Sequence, residues 1–164
     1  MRMNNVALYE IHAEIENRCN QNCLHCSSKL LREGESIEYS IENLSHFIKG
    51  LNSKAHLYLT GGEPLLYLNL DTALQKLRAA APLLSIGVFT CGVCLDNSPI
   101  SQSYAQTLKS SGLEDCYVSL YHIDPIKHDT ITGLSGSFEI TCESIKNLQS
   151  AGIEVKGHLV LTKY

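Results

Sequence analysis

The feature that most constrains this fold is an alternation: five β-patterned segments are separated by four amphipathic stretches, each long enough to cross a sheet. The first segment, Ala7 to Glu16, puts Tyr9, Ile11, Ala13 and Ile15 on one face and Glu10, His12, Glu14 and Glu16 on the other. Ser40 caps a helix whose stripe is Ile41, Leu44, Phe47, Ile48 and Leu51, and His56–Thr60 follows as the second strand. A second helix, Leu70–Ala80, carries Leu70, Ala73, Leu74 and Leu77 on one side and is closed by Pro82; Leu84–Thr90 is the third strand. Ser103–Ser110 is the third helix, stopped by Gly112, and Cys116–Tyr121 the fourth strand. Phe138–Gln149, with Ser137 as N-cap and Gly152 just past its end, leads into the last strand, Glu154–Leu161. A helix between every pair of strands makes the pairing parallel, through right-handed crossovers. The expected class is therefore α/β. With 164 residues and no low-complexity linker, the chain makes one domain.

Chemistry enters with Cys19-Asn20-Gln21-Asn22-Cys23-Leu24-His25-Cys26, a Cys-x3-Cys-x2-Cys run with no fourth cysteine nearby. Three thiolates on a cubane cluster leave one iron open to a small molecule. Soft sulfur ligands also suit zinc, but a structural zinc site wants a fourth ligand at finger-like spacing, and His25 sits awkwardly between two cysteines of one turn. Downstream, the second strand runs into Gly61-Gly62-Glu63-Pro64, where a double glycine lets the backbone approach a ligand closely. The chain has seven cysteines, an odd number, three of them in one loop, which reads as reduced thiols in a cytoplasmic protein better than as a disulfide framework. A net charge of −4 with no basic stripe argues against nucleic-acid binding. Met1 to Glu16 has no secretory apolar core, and no stretch approaches the ~20 apolar residues of a membrane span.

Together, the cysteine loop after a first strand and Gly-Gly-Glu-Pro ending a second resemble the radical S-adenosylmethionine (SAM) superfamily. Val118-Ser119-Leu120-Tyr121, His128-Asp129, Ile131-Thr132-Gly133, Gly136-Ser137-Phe138-Glu139 and Ala151-Gly152-Ile153-Glu154-Val155 follow in family order. They are most similar to the branch holding peptide-modifying maturases and the molybdenum-cofactor enzyme. The resemblance implies a partial (β/α) barrel of six strands, of which this sequence holds five. It is read as a core lacking the last helix–strand–helix and any auxiliary-cluster domain, with the fifth strand as an exposed edge.

By the same resemblance, Cys19, Cys23 and Cys26 hold a [4Fe–4S] cluster and the open iron is chelated by SAM. His25 occupies an aromatic position that packs near SAM. Gly61, Gly62 and Glu63, at the carboxyl end of the second strand, offer backbone carbonyls to the SAM ammonium. The Ser119 hydroxyl contacts the ribose or carboxylate, the alternative being a buried serine satisfied by backbone. Thr90 matches the first residue of a Thr-Asn-Gly motif that touches SAM, here Thr90-Cys91-Gly92. Thr132 stands where many relatives carry arginine and supplies no charge. The implied reaction is reductive cleavage of SAM to a radical that takes hydrogen from a substrate, with a flavodoxin- or ferredoxin-type protein as reductant. A precursor peptide is the first candidate substrate and a small cofactor precursor the second. A non-catalytic three-cysteine iron–sulfur or zinc module, or an inactive truncated product, remains the alternative.

Other residues read less sharply. His128-Asp129 is expected to hold the loop before the last helix. Cys116 and Cys142 are expected in the core, and Cys91 with Cys94 forms a Cys-x2-Cys of metal, redox or packing character. The polar strand faces bearing His12, Glu14, Glu16, Tyr58, Tyr117 and His158 suit a substrate cavity better than a buried parallel sheet.

Overall fold

A computed structural model describes residues 10–29, 40–49, 51 and 55–161. Ala7–Tyr9, assigned to the first strand by alternation, lie outside them. The described elements are β1 (Glu10–Glu16), α1 (Ile41–Ile48), β2 (His56–Gly61), α2 (Leu70–Ala80), β3 (Ser85–Thr90), α3 (Gln102–Ser110), β4 (Asp115–Ser119), α4 (Pro125–Thr132), α5 (Ser137–Ser150) and β5 (Glu154–His158). A short 3-10 turn, Pro64–Leu66, follows β2.

All strand pairs are parallel, in the order β1-β2-β3-β4-β5. Because the order never reverses, successive right-handed crossovers deliver their helices to one face. That face carries Leu57, Leu59, Ile86, Val88, Cys116 and Val118, which form one core with Ile48, Leu70, Leu74, Leu77, Leu108 and Leu148 of the helices. Each fully buried leucine or isoleucine there contributes about 1.5–3 kcal/mol. Register places the other residues in rows across the open face: His12, Tyr58, Gly87 and Asp115 form one, and Tyr117 lies beside Phe89 and Lys156.

Several sequence expectations shift. An unexpected helix, α4, follows β4; Asp124 caps it by accepting from Ile126 and Lys127, and Pro125 opens it. Ser137 is the first residue of α5 and not its cap. Asp129 supplies the missing cap from α4, accepting from Gly136 N (2.6 Å), Phe138 N (2.9 Å) and Ser137 Oγ (3.0 Å). Strand β4 ends at Ser119, so Tyr121 leaves the sheet, and β5 ends at His158, leaving Leu159 and Leu161 exposed. Cys116 is buried in the core as expected, whereas Cys142 is half-exposed on α5.

Burial raises the Asp129 carboxyl, but the hydrogen bonds from Phe138, Gly136 and Ser137 outweigh it and hold the group below its ordinary value. Its stabilisation is therefore complete above the unfolded-state pKa and is lost as pH falls through the lower folded value. Asp129→Ala is expected to cost about 1–2 kcal/mol at neutral pH, measured by urea denaturation. The deficit should shrink in acid, and a deficit independent of pH would remove the carboxylate from this role.

Candidate functional site

The loop between β1 and α1 is seated by three neighbours. Its start continues the β1–β2 ladder: Gly62 N donates to Glu16 O (2.6 Å) and Glu63 N to Arg18 O (2.8 Å). Its middle is held by α4, where Asn22 N and Leu24 N donate to Thr132 O (2.8 Å) and Ile131 O (2.9 Å). Gly133, at φ +68°, ends α4 with its α-carbon face against Asn22. Asn20 Nδ2 donates to Cys94 O (2.8 Å), which ties the loop to the segment after β3. Within the loop Cys26 N donates to Cys23 O (3.1 Å), a turn that links the second and third cysteines.

The double glycine has a steric cause in this arrangement. A β-carbon on Gly61 would lie 2.1 Å from Glu16 O, and one on Gly62 2.1 Å from Arg18 O. Gly61 also takes φ +134°. The close approach these glycines permit is first to the start of the cysteine loop.

Glu63 is buried, and its carboxylate is spent on protein donors: Thr90 Oγ1 (2.6 Å), Cys91 N (2.7 Å) and Leu65 N (3.0 Å). Burial raises its pKa, opposed by those bonds. Thr90 in turn accepts from Gly92 N (2.9 Å). Glu63 and Thr90 thus clamp the ends of β2 and β3, leaving the main chain of Gly61–Glu63 and Thr90–Cys91 along the rim.

These pieces surround a cavity of about 500 Å³ at the carboxyl ends of the strands, lined by Cys19, Cys23, Cys26, His25, Gly61, Gly62, Glu63, Thr90 and Ser119. Every residue singled out in the sequence as a cluster or SAM contact reaches it. Glu14, Phe89 and His158 extend its wall down the open face, and Cys91 and Tyr121 complete it. Of the other proposed cavity residues, Glu16 is buried and paired with Arg18 (2.5 Å), and Tyr58 and Tyr117 lie deeper on the same face. His25 meets Tyr121 edge-on (4.5 Å), and its Nδ1 is buried without a hydrogen-bond partner among the described residues. Burial, with a contribution from His158, lowers the His25 pKa and keeps the ring neutral beside the thiols.

The donor set fits a cluster. None of the seven cysteines is in a disulfide. Among the described residues no three His, Cys, Asp or Glu side chains converge on the position of a single ion. Three thiols set apart around one cavity match three separate irons of a cubane, whereas a structural zinc requires four donors on one centre. Cys91 is a fourth thiol on the cavity wall, held protonated by burial and by the nearby Glu63 and Cys19. Cys94 points instead into the packing beside Tyr104.

Sequence reasoning missed Asn20, Asn22, Arg18 and α4 as the seat of the loop. The polar run Asn17–Asn22 was the available signal, since side-chain amides in a loop commonly pin backbone.

The sequence profile described as the Radical SAM superfamily matches residues 14–164. An AdoMet-dependent heme synthase from Nitratidesulfovibrio vulgaris is 26% identical over 152 residues, covering 92% of this chain and 40% of that protein. A probable GTP 3',8-cyclase from Methanococcus aeolicus is 28% identical over 165 residues, covering 93% of this chain and 50% of the relative. The chain thus spans half or less of the length of these curated relatives. Among solved structures, Streptococcus suis SuiB bound to precursor peptide SuiA superposes with a TM-score of 0.75 at 16% identity, over 96% of this chain and 34% of that one. BtrN in complex with AdoMet and 2-DOIA gives 0.64 at 20% identity, over 94% and 57%. At these identities the likeness establishes the fold.

Proposed function

Because this chain belongs to the radical SAM superfamily, we propose that residues 1–164 form the core of an enzyme that binds a [4Fe–4S] cluster and SAM and generates a substrate radical. When bound, the cluster and SAM would supply the chemistry, a one-electron reductive cleavage of SAM coupled to removal of a hydrogen atom from the substrate. The protein's part is placement. Cys19, Cys23 and Cys26, which line the cavity, would hold the cluster, three thiolates leaving one iron without a protein ligand. The Gly61–Glu63 main chain offers carbonyls to an ammonium group, and the Ser119 hydroxyl and the Thr90–Cys91 rim offer further polar contacts. His25, packed edge-on against Tyr121, lines the same cavity as the thiols and would lie beside the bound group.

The observation that carries this reading is the ladder between Gly62–Glu63 and Glu16–Arg18, which brings the cysteine loop and the Gly-Gly-Glu-Pro strand end to one cavity. A small flavodoxin- or ferredoxin-type protein is the expected electron donor, in the cytoplasm. No described helix is long and apolar enough to cross a membrane. A precursor peptide is the favoured substrate, supported by the likeness to SuiB; the cyclase relatives support a nucleotide as the competing class.

The test is anaerobic reconstitution with iron and sulfide. About four irons per chain, a change in the reduced-cluster spectrum on adding SAM, and release of 5′-deoxyadenosine with dithionite are expected. Iron binding without either response to SAM would establish a non-catalytic metal module instead.

A further inference from the structure

Three cysteines are assigned to the cluster, and a fourth thiol stands beside them with no part in the mechanism. Cys91, just past the end of β3, is buried on the cavity wall. A cysteine kept as a small apolar filler sits among apolar neighbours, as Cys116 does; Cys91, like Cys23, is buried without belonging to that core. Its neighbours are those of the cysteine loop. The thiol hydrogen-bonds the Glu63 carboxylate and lies 3.9 Å from Oδ1 of Asn20, the residue after Cys19. Cys19 is close enough to push the Cys91 thiol up, and the Tyr121 hydroxyl feels Cys23, Cys91 and Cys19 together, so these three sulfurs share one part of the wall. The Cys91 main chain is fixed on both sides: its N–H donates to Glu63 Oε2 (2.7 Å) and its carbonyl accepts from Thr141 Oγ1 of α5 (2.8 Å).

We propose that Cys91 is a fourth, exchangeable ligand of the cluster, whose sulfur occupies the otherwise open iron while SAM is absent and yields that position to SAM. The inference rests on the radical SAM reading and adds a resting state to it. Coordination replaces the S–H bond by an S–Fe bond, a solvent ligand leaves the iron, and the proton passes to the Glu63 carboxylate that the thiol already hydrogen-bonds. When SAM takes the iron, the sulfur recovers its proton. A thiolate is a strong soft ligand, so the cap retains an iron that solvent would hold weakly. SAM must compete with it, which lowers the apparent affinity for SAM.

The test compares wild type, Cys91→Ala, Cys91→Ser and, as a control thiol on α5 away from the cavity, Cys142→Ser, each reconstituted anaerobically. Without SAM, ferricyanide and EDTA strip an iron that lacks a protein thiolate and leave a three-iron cluster with its own EPR signal. Both Cys91 variants are expected to convert about tenfold faster than wild type and Cys142→Ser, and to bind SAM about tenfold more tightly by the change in the reduced-cluster spectrum. Serine keeps the volume and supplies only a poor oxygen ligand, so its result decides if the urea midpoint shows that the alanine variant has unfolded. Equal conversion of wild type and Cys91→Ser, or SAM affinity unchanged or weakened in that variant, would overturn the assignment and leave the radical SAM reading standing. Loss of any spectral response to SAM in wild type and variants alike would overturn that reading and the exchange with it.

Discussion

Cys23→Ala is expected to yield a folded protein that takes up almost no cluster. Cys23 is buried in the loop, and the turn that follows it depends on its backbone, since Cys26 N donates to Cys23 O. Alanine keeps that backbone bond and removes only the sulfur. Two remaining thiolates cannot retain a cubane against exchange with solvent or chelator. Iron content and the brown charge-transfer absorbance after anaerobic reconstitution should fall to near background, while the urea midpoint of the metal-free protein moves little. The comparison of the two measurements is what makes the test specific. Undiminished absorbance in the variant would refute the ligand assignment, and a collapse of the midpoint would trace the loss to folding.

Gly62→Val should do the reverse and damage the fold first. Its β-carbon would lie 2.1 Å from Arg18 O and 2.6 Å from both Arg18 C and Asn17 O, all main-chain atoms that cannot rotate away. The strand end and the loop must separate, losing the bonds from Gly62 N to Glu16 O and from Glu63 N to Arg18 O. Overpacking and two buried hydrogen bonds together cost about 3 kcal/mol or more. Cluster uptake should fall with stability, because the loop's seat is gone. Gly62→Ala carries the same β-carbon and should be nearly as severe. If the alanine variant keeps both its urea midpoint and its iron but loses SAM affinity, the glycine serves the ligand and not the loop.

Much of the framework was legible because its forces are local and periodic. Leu70–Ala80 was read to the residue from a stripe and a closing proline, and the strands β2 and β3 to within one residue from apolar runs bounded by turn signals. The failures have a common cause in non-local competition. Helix α4 shows no stripe, because its two isoleucines point different ways, Ile126 exposed and Ile131 buried; only its Asp124-Pro125 start marks it in the sequence. The α5 cap was assigned to the serine beside it, while the acceptor came from Asp129 on another helix. In β5 the apolar residues 159–161 suggest a longer strand, but the pairing with β4 ends at Ser119 opposite His158, closed by one further bond from Leu120 N to His158 O. At the site, residue types and spacing picked out the cavity lining. The inward turn of the Glu63 carboxylate was not readable, since its donors on Thr90 and Cys91 meet it only in the fold.

The seat of the cysteine loop has a bearing on biosynthesis. The thiols leave the ribosome early, yet the backbone groups that position them include Thr132 O and Ile131 O at the far end of α4. Until that helix has been made and has docked, the nascent chain carries three thiols on a loop that lacks the middle one of its three seats. Iron delivered at that stage would meet an incompletely positioned site, and oxidants or competing soft metals would meet the thiols before α4 has closed against the loop. Cluster loading is thereby timed to follow synthesis of most of this chain, and the interval before it is when the protein depends most on a reducing, metal-buffered surrounding.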